Sequence, residues 1–355
     1  MSGFDRRYFL GGAASLAGAL SLPRTGLADG GKLTPTSLVL GPADTATIFP
    51  MVALEGGFAK QEGLDLKITV TDAGVQTRQT LAAGQTDYAI GDTAHPLQLT
   101  NRGKASKILF VTATFPTTSN MVVRSDLYAQ GITSPEAFAN WKKPGGAKPV
   151  IAATQIGAST WTYGSYIFEK LGLAQKVNWV AGGGAQSLLG GLKSKQFDAI
   201  MAQPGWMFEA VDNKWGNLIF DPLDRNNLDR IFGGPIPVGA VIYALQTTIK
   251  KQPDVTQAMV NAIYRAAHWI KAASVDDIFK LVGPKYLGEG REAAVKREIT
   301  YYKRPGVYNY NGFISADSYA RAAPVWFREG TGISKVDYDT ACDFSFLQNT
   351  KKKLG

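Results

Sequence analysis

The chain has 355 residues but a single cysteine, Cys342, and only two histidines, His95 and His268. One cysteine excludes an intrachain disulfide and a cysteine metal cluster. Beside Asp343 and Phe344, Cys342 reads as a packed small residue rather than a nucleophile. Two histidines leave little material for a Ser-His-Asp arrangement or a histidine metal centre. His95 precedes Pro96 and His268 falls inside a helical pattern, so both read as structural. Long basic runs are missing apart from Lys351-Lys352-Lys353, and no zinc-finger, RNP or basic-zipper pattern occurs, so nucleic acid is not an expected partner. The net charge of +9 is spread along the chain. Such diffuse basicity suits a protein that meets anionic solutes or an anionic membrane surface.

What is present is a globular composition, 45% hydrophobic and 19% charged with 39 glycines. A chain of this size can bury a large core and form two lobes. At its start, Asp5-Arg6-Arg7-Tyr8-Phe9-Leu10 sets paired arginines before an apolar run from Gly11 to Leu22. That run falls short of the ~20 residues that cross a bilayer. Gly26-Leu27-Ala28 then supplies small residues at the −3 and −1 positions of a cleavage site. This order predicts a twin-arginine export signal over residues 1–28 and a periplasmic location. Losing Arg6, Arg7, Arg24 and Asp5 with it lowers the net charge from +9 to +7.

The patterns that follow alternate between strand and helix. Ser37 to Leu40 and Leu64 to Val70 read as strands around a helix from Ile48 to Phe58, the βαβ unit of a parallel sheet. A helix over 76–83, a strand from Asp87 to Ile90 and a strand from Ile108 to Val111 continue this half. After a Gly/Pro loop at 142–148 the alternation repeats: Pro149 to Ala153, Val177 to Val180 and Phe197 to Met201 are strands, with helices between. Leu81-x-x-Gly84-Gln85-x-Asp87-Tyr88-Ala89-Ile90 recurs as Leu192-x-x-x-Gln196-x-Asp198-Ala199-Ile200. In both, a helix ends, an aspartate sits in the turn, and a buried strand follows. Residues 233–246 read as a return crossover, and the chain is mostly helical from Pro253 onward. Tyr301-Tyr302 and Tyr308 to Tyr310 read as a loop and surface cluster.

Ligands of open α/β sheets sit outside the carboxyl ends of strands. Four such ends supply candidate contacts: Ala43, Asp44 and Thr45; Asp92, Thr93 and Ala94; Gly157, Ala158, Ser159, Thr160 and Trp161; and Gln203. The third is the most informative, because a strand turns at Gly157 straight into a helix whose free N–H groups favour an anion. Ser159 and Thr160 either hold that anion or cap the helix. Trp161 stacks on an organic ligand or packs between lobes. Asp44 and Asp92 are read as helix caps first, and as partners of an amino group second. Catalytic readings fail on spacing. Residues 157–161 form G-x-S-x-W, which misses the nucleophile elbow, and Gly182-Gly183-Gly184 lacks the Gly-Lys-Ser/Thr ending of a phosphate loop.

Ala53-x-Glu55-Gly56-Gly57-Phe58-x-Lys60-x-Glu62-Gly63-Leu64, then Leu81-Ala82-Ala83-Gly84-Gln85-x-Asp87, the Gly157-Ala158-Ser159 turn and Gln252-Pro253-Asp254-Val255 resemble the nitrate/sulfonate/taurine type of periplasmic solute-binding protein, also called thiamine-pyrimidine-precursor-like. The resemblance implies an α/β, two-lobed periplasmic binding protein fold of type II. Each lobe would be a mixed sheet flanked by helices, with two crossovers and a helical C-terminal tail. Lobe 1 would span 36–121 plus 243–355, and lobe 2 would span 122–242. It further implies a monomer without cofactor or metal. Such a protein captures a small anion (sulfonate, nitrate, bicarbonate or organic acid) between closing lobes and delivers it to an ABC permease. A thiamine pyrimidine precursor or related aminopyrimidine is the alternative ligand. Other classes are an exported ligand sensor, and a pyrimidine-precursor synthase, which would require a cysteine-rich motif that a chain with one cysteine lacks.

Overall fold

Alternating burial along Leu64–Val70 and an apolar end to Thr34–Leu40 give the first two strands their shared inner face. The computed structural model describes residues 32–355 except Thr117, Pro235, Pro237, Val238 and Glu289. The expected export signal over 1–28 lies outside the described residues. Two mixed sheets organise the chain. One takes strands β1 (Thr34–Leu40), β2 (Leu64–Val70), β3 (Tyr88–Asp92) and β4 (Ser106–Ala113). The other takes β5 (Asn120–Arg124), β6 (Val150–Ala153), β7 (Asn178–Ala181), β8 (Ala199–Ala202) and β9 (Gly216–Phe220). The chain then returns to the first sheet with β10 (Ala240–Leu245) and β11 (Tyr308–Gly312). The six-stranded order is β11-β4-β10-β3-β1-β2 and the five-stranded order is β7-β6-β8-β5-β9. Both mix parallel pairs with antiparallel ones: β1 runs parallel to β2 and β3, and β6 to β7 and β8. The returning strand β10 lies antiparallel between β3 and β4, as β5 does between β8 and β9.

The chain therefore crosses between the sheets twice, between β4 and β5 and again between β9 and β10. Residues 121/122 and 242/243, where the sequence suggests lobe boundaries, fall inside β5 and β10. The repeated helix-turn-Asp-strand signature has one structural meaning in both lobes. Asp87 Oδ2 accepts from the Ser37 N–H of β1 at 2.9 Å, and Asp198 Oδ2 accepts from the Val150 N–H of β6 at 2.8 Å. Each aspartate thus fixes the start of the neighbouring parallel strand. Asp198, fully buried, also receives Arg124 at 2.9 Å and Lys143 at 2.9 Å, so its charge is compensated.

The Pro253–Ala272 helix buries Met259, Val260, Ile263, Ala266, Ala267 and Ile270 and packs across the Ile48–Glu55 helix, β4 and β11. Two local expectations change. The helix read from Ile48 to Phe58 stops at Glu55, because Gly57 takes φ +74 before a separate Phe58–Gln61 turn. The tyrosine cluster is core rather than surface: Tyr301, Tyr302 and Tyr308 are each at most 4% exposed. Tyr302 stacks on Tyr308 at 5.3 Å, and Phe49 meets Tyr308 edge-on at 5.2 Å. Among the described residues no helix is long and apolar enough to cross a membrane.

Candidate functional site

The carboxyl ends of β1, β3, β6 and β8 face one another across the cleft between the sheets, and two clusters of side chains meet there. In the first, Ala43, Asp44 and Thr45 from lobe 1 and Gln203 to Trp206 from lobe 2 enclose a cavity of about 50 Å³, with Arg291, Glu298 and Tyr302 from the C-terminal part of lobe 1. That is room for a few water molecules or for one end of a small solute. Asp44 does cap a helical turn, as expected. Thr47 N–H donates to Asp44 Oδ1 at 3.1 Å, and the Thr47 hydroxyl accepts from the Asp44 N–H at 3.2 Å. It also lines the cavity, where burial lifts its pKa to about 6 against hydrogen bonds from Ala46, Thr47 and Gln203.

Glu298 stands across this cavity. Its Oε2 accepts from the Thr45 hydroxyl at 3.3 Å and its Oε1 lies 3.4 Å from the Arg291 guanidinium. Burial raises its pKa to about 7; Arg291 opposes the shift, and the charge of Asp44 adds to it. Lobe 2 comes close to this carboxyl through a glycine. A Cβ at Gly205 would sit 2.6 Å from Glu298 Oε1, so a side chain there would have to displace the carboxyl. The Tyr308 hydroxyl bonds the Thr45 carbonyl and fixes the loop from below. The cavity therefore presents two carboxyls poised near neutral pH, one partnered by a half-exposed arginine.

The second cluster joins Asp92 to the N-terminus of the Ser159–Lys170 helix. Asp92 Oδ1 accepts from the Ala94 N–H at 2.8 Å, and Oδ2 accepts from the Tyr163 hydroxyl of lobe 2 at 2.8 Å. Burial raises the Asp92 pKa to about 6, while Ala94, Tyr163, the Ser159 hydroxyl and the charge of Arg78 pull it back. Burial, then the Asp92 charge, pushes the Tyr163 phenol well up, so it stays protonated as the donor. A carboxylate of lobe 1 thus faces the helix end that the sequence offered to an anion. Gln98 Nε2 donates to the Gly157 carbonyl at 3.3 Å beside it.

Several expected contacts have other duties. The N-cap of that helix is Ala158, not Ser159 or Thr160, because the turn at Gly157 takes φ +84 and the helix already begins at Ser159. The Thr160 hydroxyl is buried and bonds the Thr154 N–H at 3.0 Å and the Thr154 hydroxyl at 2.8 Å, bracing the end of β6. Trp161 is half-buried under Arg328, whose guanidinium lies 5.7 Å from its ring. Arg328 also donates to the Thr162 carbonyl and the Ser165 hydroxyl, both at 2.7 Å, so this segment straps lobe 1 to lobe 2. The Thr93 hydroxyl is buried and bonds the Gly239 carbonyl at 2.9 Å, which ties β3 to the return passage. Ala94 is buried beside it at the start of its helix. His95 is a packed residue. Cβ atoms at Gly74 and Gly91 would lie 2.7 and 2.4 Å from its ring, and burial holds its pKa well below the usual range.

The structure brings Ala43, Asp44, Thr45 and Gln203 together, and separately Asp92 and Ser159. Sequence reading missed Arg291, Tyr302 and Glu298 among the cavity residues, the last 253 residues from the Thr45 it contacts. One signal exists: Glu298 interrupts the apolar stripe of Val295, Ile299 and Tyr302, where a charge is rarely buried without a task. Cys342 is buried in lobe 1 beside β4, and burial pushes its thiol up to about 12.

The chain is similar to known proteins at two levels. A model of the NMT1-like family matches residues 31–281. No curated protein matches the sequence. Among solved structures, a protein of Bordetella bronchiseptica RB50 is 25% identical over 91% of this chain and 98% of its own, with a TM-score of 0.73. The periplasmic nitrate-binding protein NrtA from Synechocystis PCC 6803 is 14% identical over 91% of this chain and 89% of its own, with a TM-score of 0.69. The desulfurization enzyme DSZB is 14% identical over 90% of this chain and 99% of its own, with a TM-score of 0.60. The fold is that of a two-lobed periplasmic binding protein. The match covers well over half of the chain, including both strand-turn signatures and the segment at 53–64 from which the resemblance was read, so the chain belongs to the NMT1-like family.

Proposed function

We propose that this protein is the exported solute-binding component of an ABC importer, and that its solute carries N–H donors or a positive charge, as an aminopyrimidine or amine does. One observation carries the ligand class: Asp44 and Glu298 face the same interlobe cavity, and the one basic group beside them among the described residues, Arg291, is paired with Glu298. A buried carboxyl is stabilised in its charged form by an N–H or cationic partner and destabilised by a second anion. The solute would enter between the lobes, complete the hydrogen bonding of both carboxyls, and hold the closed shape that a membrane permease recognises. The protein binds as a monomer with no cofactor. Binding alone is the task in this reading: the Thr45 hydroxyl that meets Glu298 at the cavity is buried and holds its own loop, and burial pushes the Cys342 thiol up to about 12. Export through the twin-arginine pathway, with cleavage after Ala28, completes the reading.

A second reading keeps the anion. The Ser159–Lys170 helix lacks a side-chain cap, and a nitrate-binding protein shares the fold. Asp92 stands against that reading, since its carboxyl already occupies the helix end. Calorimetry of the purified protein against 4-aminopyrimidines, primary amines, alkanesulfonates and nitrate separates the two. Binding of an aminopyrimidine or amine that is lost in Asp44→Asn supports the first reading. Binding of nitrate or a sulfonate that survives in Asp44→Asn overturns it.

A further inference from the structure

Outside the cleft, lobe 1 carries a groove between the Gly74–Ala82 and Ala94–Asn101 helices, with a volume of about 240 Å³. Val75, Ala82 and Leu99 give it an apolar floor. Three cations stand over that floor: Arg78, Arg102 and Lys104. None of them forms an ion pair among the described residues. Arg78 and Arg102 are close enough that the charge of Arg102 and, more strongly, burial both disfavour the charged form of Arg78; Asp92 and Tyr243 oppose this from the cleft side. Like charges gathered over an apolar surface cost stability unless a counter-charge joins them.

A fourth group adds a second requirement, for a donor on the same occupant. Gln98 lines the groove, is 8% exposed, and spends its Nε2 on the Gly157 carbonyl. That bond orients the amide, and it leaves Oε1 buried without a partner. A buried acceptor left unmade is costly, and a donor on a ligand would relieve it. The volume is below the roughly 300 Å³ at which drug-sized pockets begin, so the occupant is small.

We propose that this groove binds a small organic anion, a sulfonate or carboxylate on a short apolar body. Its charged end lies between Arg78 and Arg102, with Lys104 alongside, and its apolar end covers Leu99 and Val75. A hydroxyl or amide N–H on the body reaches Gln98 Oε1. This site shares no lining residue with the Asp44 and Glu298 cavity, whose carboxyls call for the opposite charge, and lies beside the Asp92 end of the cleft. The Gln98 bond to Gly157 crosses from lobe 1 to lobe 2, so an occupant of the groove touches a residue that joins the two lobes.

The test is calorimetry of the full protein with hexanesulfonate, hexanol and sulfate, and co-sedimentation with phosphatidylglycerol vesicles. Hexanesulfonate is expected to bind at one site, more tightly than sulfate or hexanol. Arg102→Gln, an exposed change that leaves the core untouched, and Arg78→Gln are each expected to weaken it by roughly tenfold, and the double variant by more. Lys250→Gln, an exposed cation elsewhere, is expected to leave it unchanged. Equal affinity in Arg102→Gln, Arg78→Gln and the native protein overturns the proposal. So does binding to the vesicles without binding of soluble hexanesulfonate, which would make the cations a membrane contact.

Discussion

The two ends of the cleft hold similar carboxyls in different company. Asp44 follows a lobe 1 strand and Asp92 ends one, both accept a bond from a nearby backbone N–H, and both are lifted to about 6 by burial. At Asp92 the other lobe supplies donors of its own, the Tyr163 hydroxyl at 2.8 Å and the Ser159 hydroxyl. At Asp44 the other lobe offers Gln203, and a second carboxyl, Glu298, which faces the Gly205 backbone, shares the space. One end is a latch made by the protein itself. The other is a cavity whose acids a solute can partner. Charge and burial alone do not distinguish a latch from a binding site; what faces the charge from the opposite lobe does.

The largest effect should come from removing the acids of the cavity. Asp44→Asn with Glu298→Gln is expected to weaken solute binding by roughly a hundredfold or more, from the loss of two charge-assisted hydrogen bonds at ~1.5–3 kcal/mol each. The same measurement on Asp92→Asn should show a much smaller change, because that carboxyl is partnered by Tyr163.

Next in size is the response of stability to pH. In the fold Asp44 and Glu298 titrate at about 6 and about 7, above their ordinary 3.8 and 4.5, so the folded state holds protons that the unfolded state has released. Their contribution is fully present below about pH 4 and is lost as pH rises through 6 to 7. Without solute, the melting temperature should therefore fall between pH 5 and pH 7.5, by an amount on the order of 2 kcal/mol or ~5 °C. The double variant should flatten most of that fall, and a residual slope would report Asp92.

Tyr163→Phe tests the latch. It removes the donor to Asp92 and is expected to cost about 1–2 kcal/mol, read as a lower midpoint in urea with an unchanged slope. Solute affinity should change less than twofold if the latch and the cavity are separate. The smallest effect is assigned to Thr160→Val, which removes the brace to Thr154. A loss of about 1 kcal/mol in stability with unchanged affinity is expected; a drop in affinity would return Thr160 to the ligand site.

The fold was legible because its signals are local and periodic. Leu64 to Val70 alternates, the 253–272 segment keeps helical spacing, and the Asp87 and Asp198 turns carry the same pattern for the same reason. The loops at 43–45 and 203 were legible as strand ends. Glu298 was not, because a contact between Thr45 and a helix 253 residues later leaves no trace in spacing. The roles of Ser159 and Thr160 were open for a related reason. A hydroxyl at a helix start can cap, bind or brace, and only its neighbours across the turn decide which. Here Thr154 claims one, and Asp92 from the other lobe faces the other.

The central claim is that the cavity acids receive an N–H donor or a cation. It is tested most directly by the pH dependence of solute affinity between pH 5.5 and 8, measured by calorimetry in buffers of different ionisation enthalpy. The account predicts that affinity rises with pH through 6 to 7 and that protons are released on binding, because the solute favours ionised Asp44 and Glu298. A solute whose affinity falls as pH rises, with protons taken up, would be an anion bound to protonated acids and would contradict it.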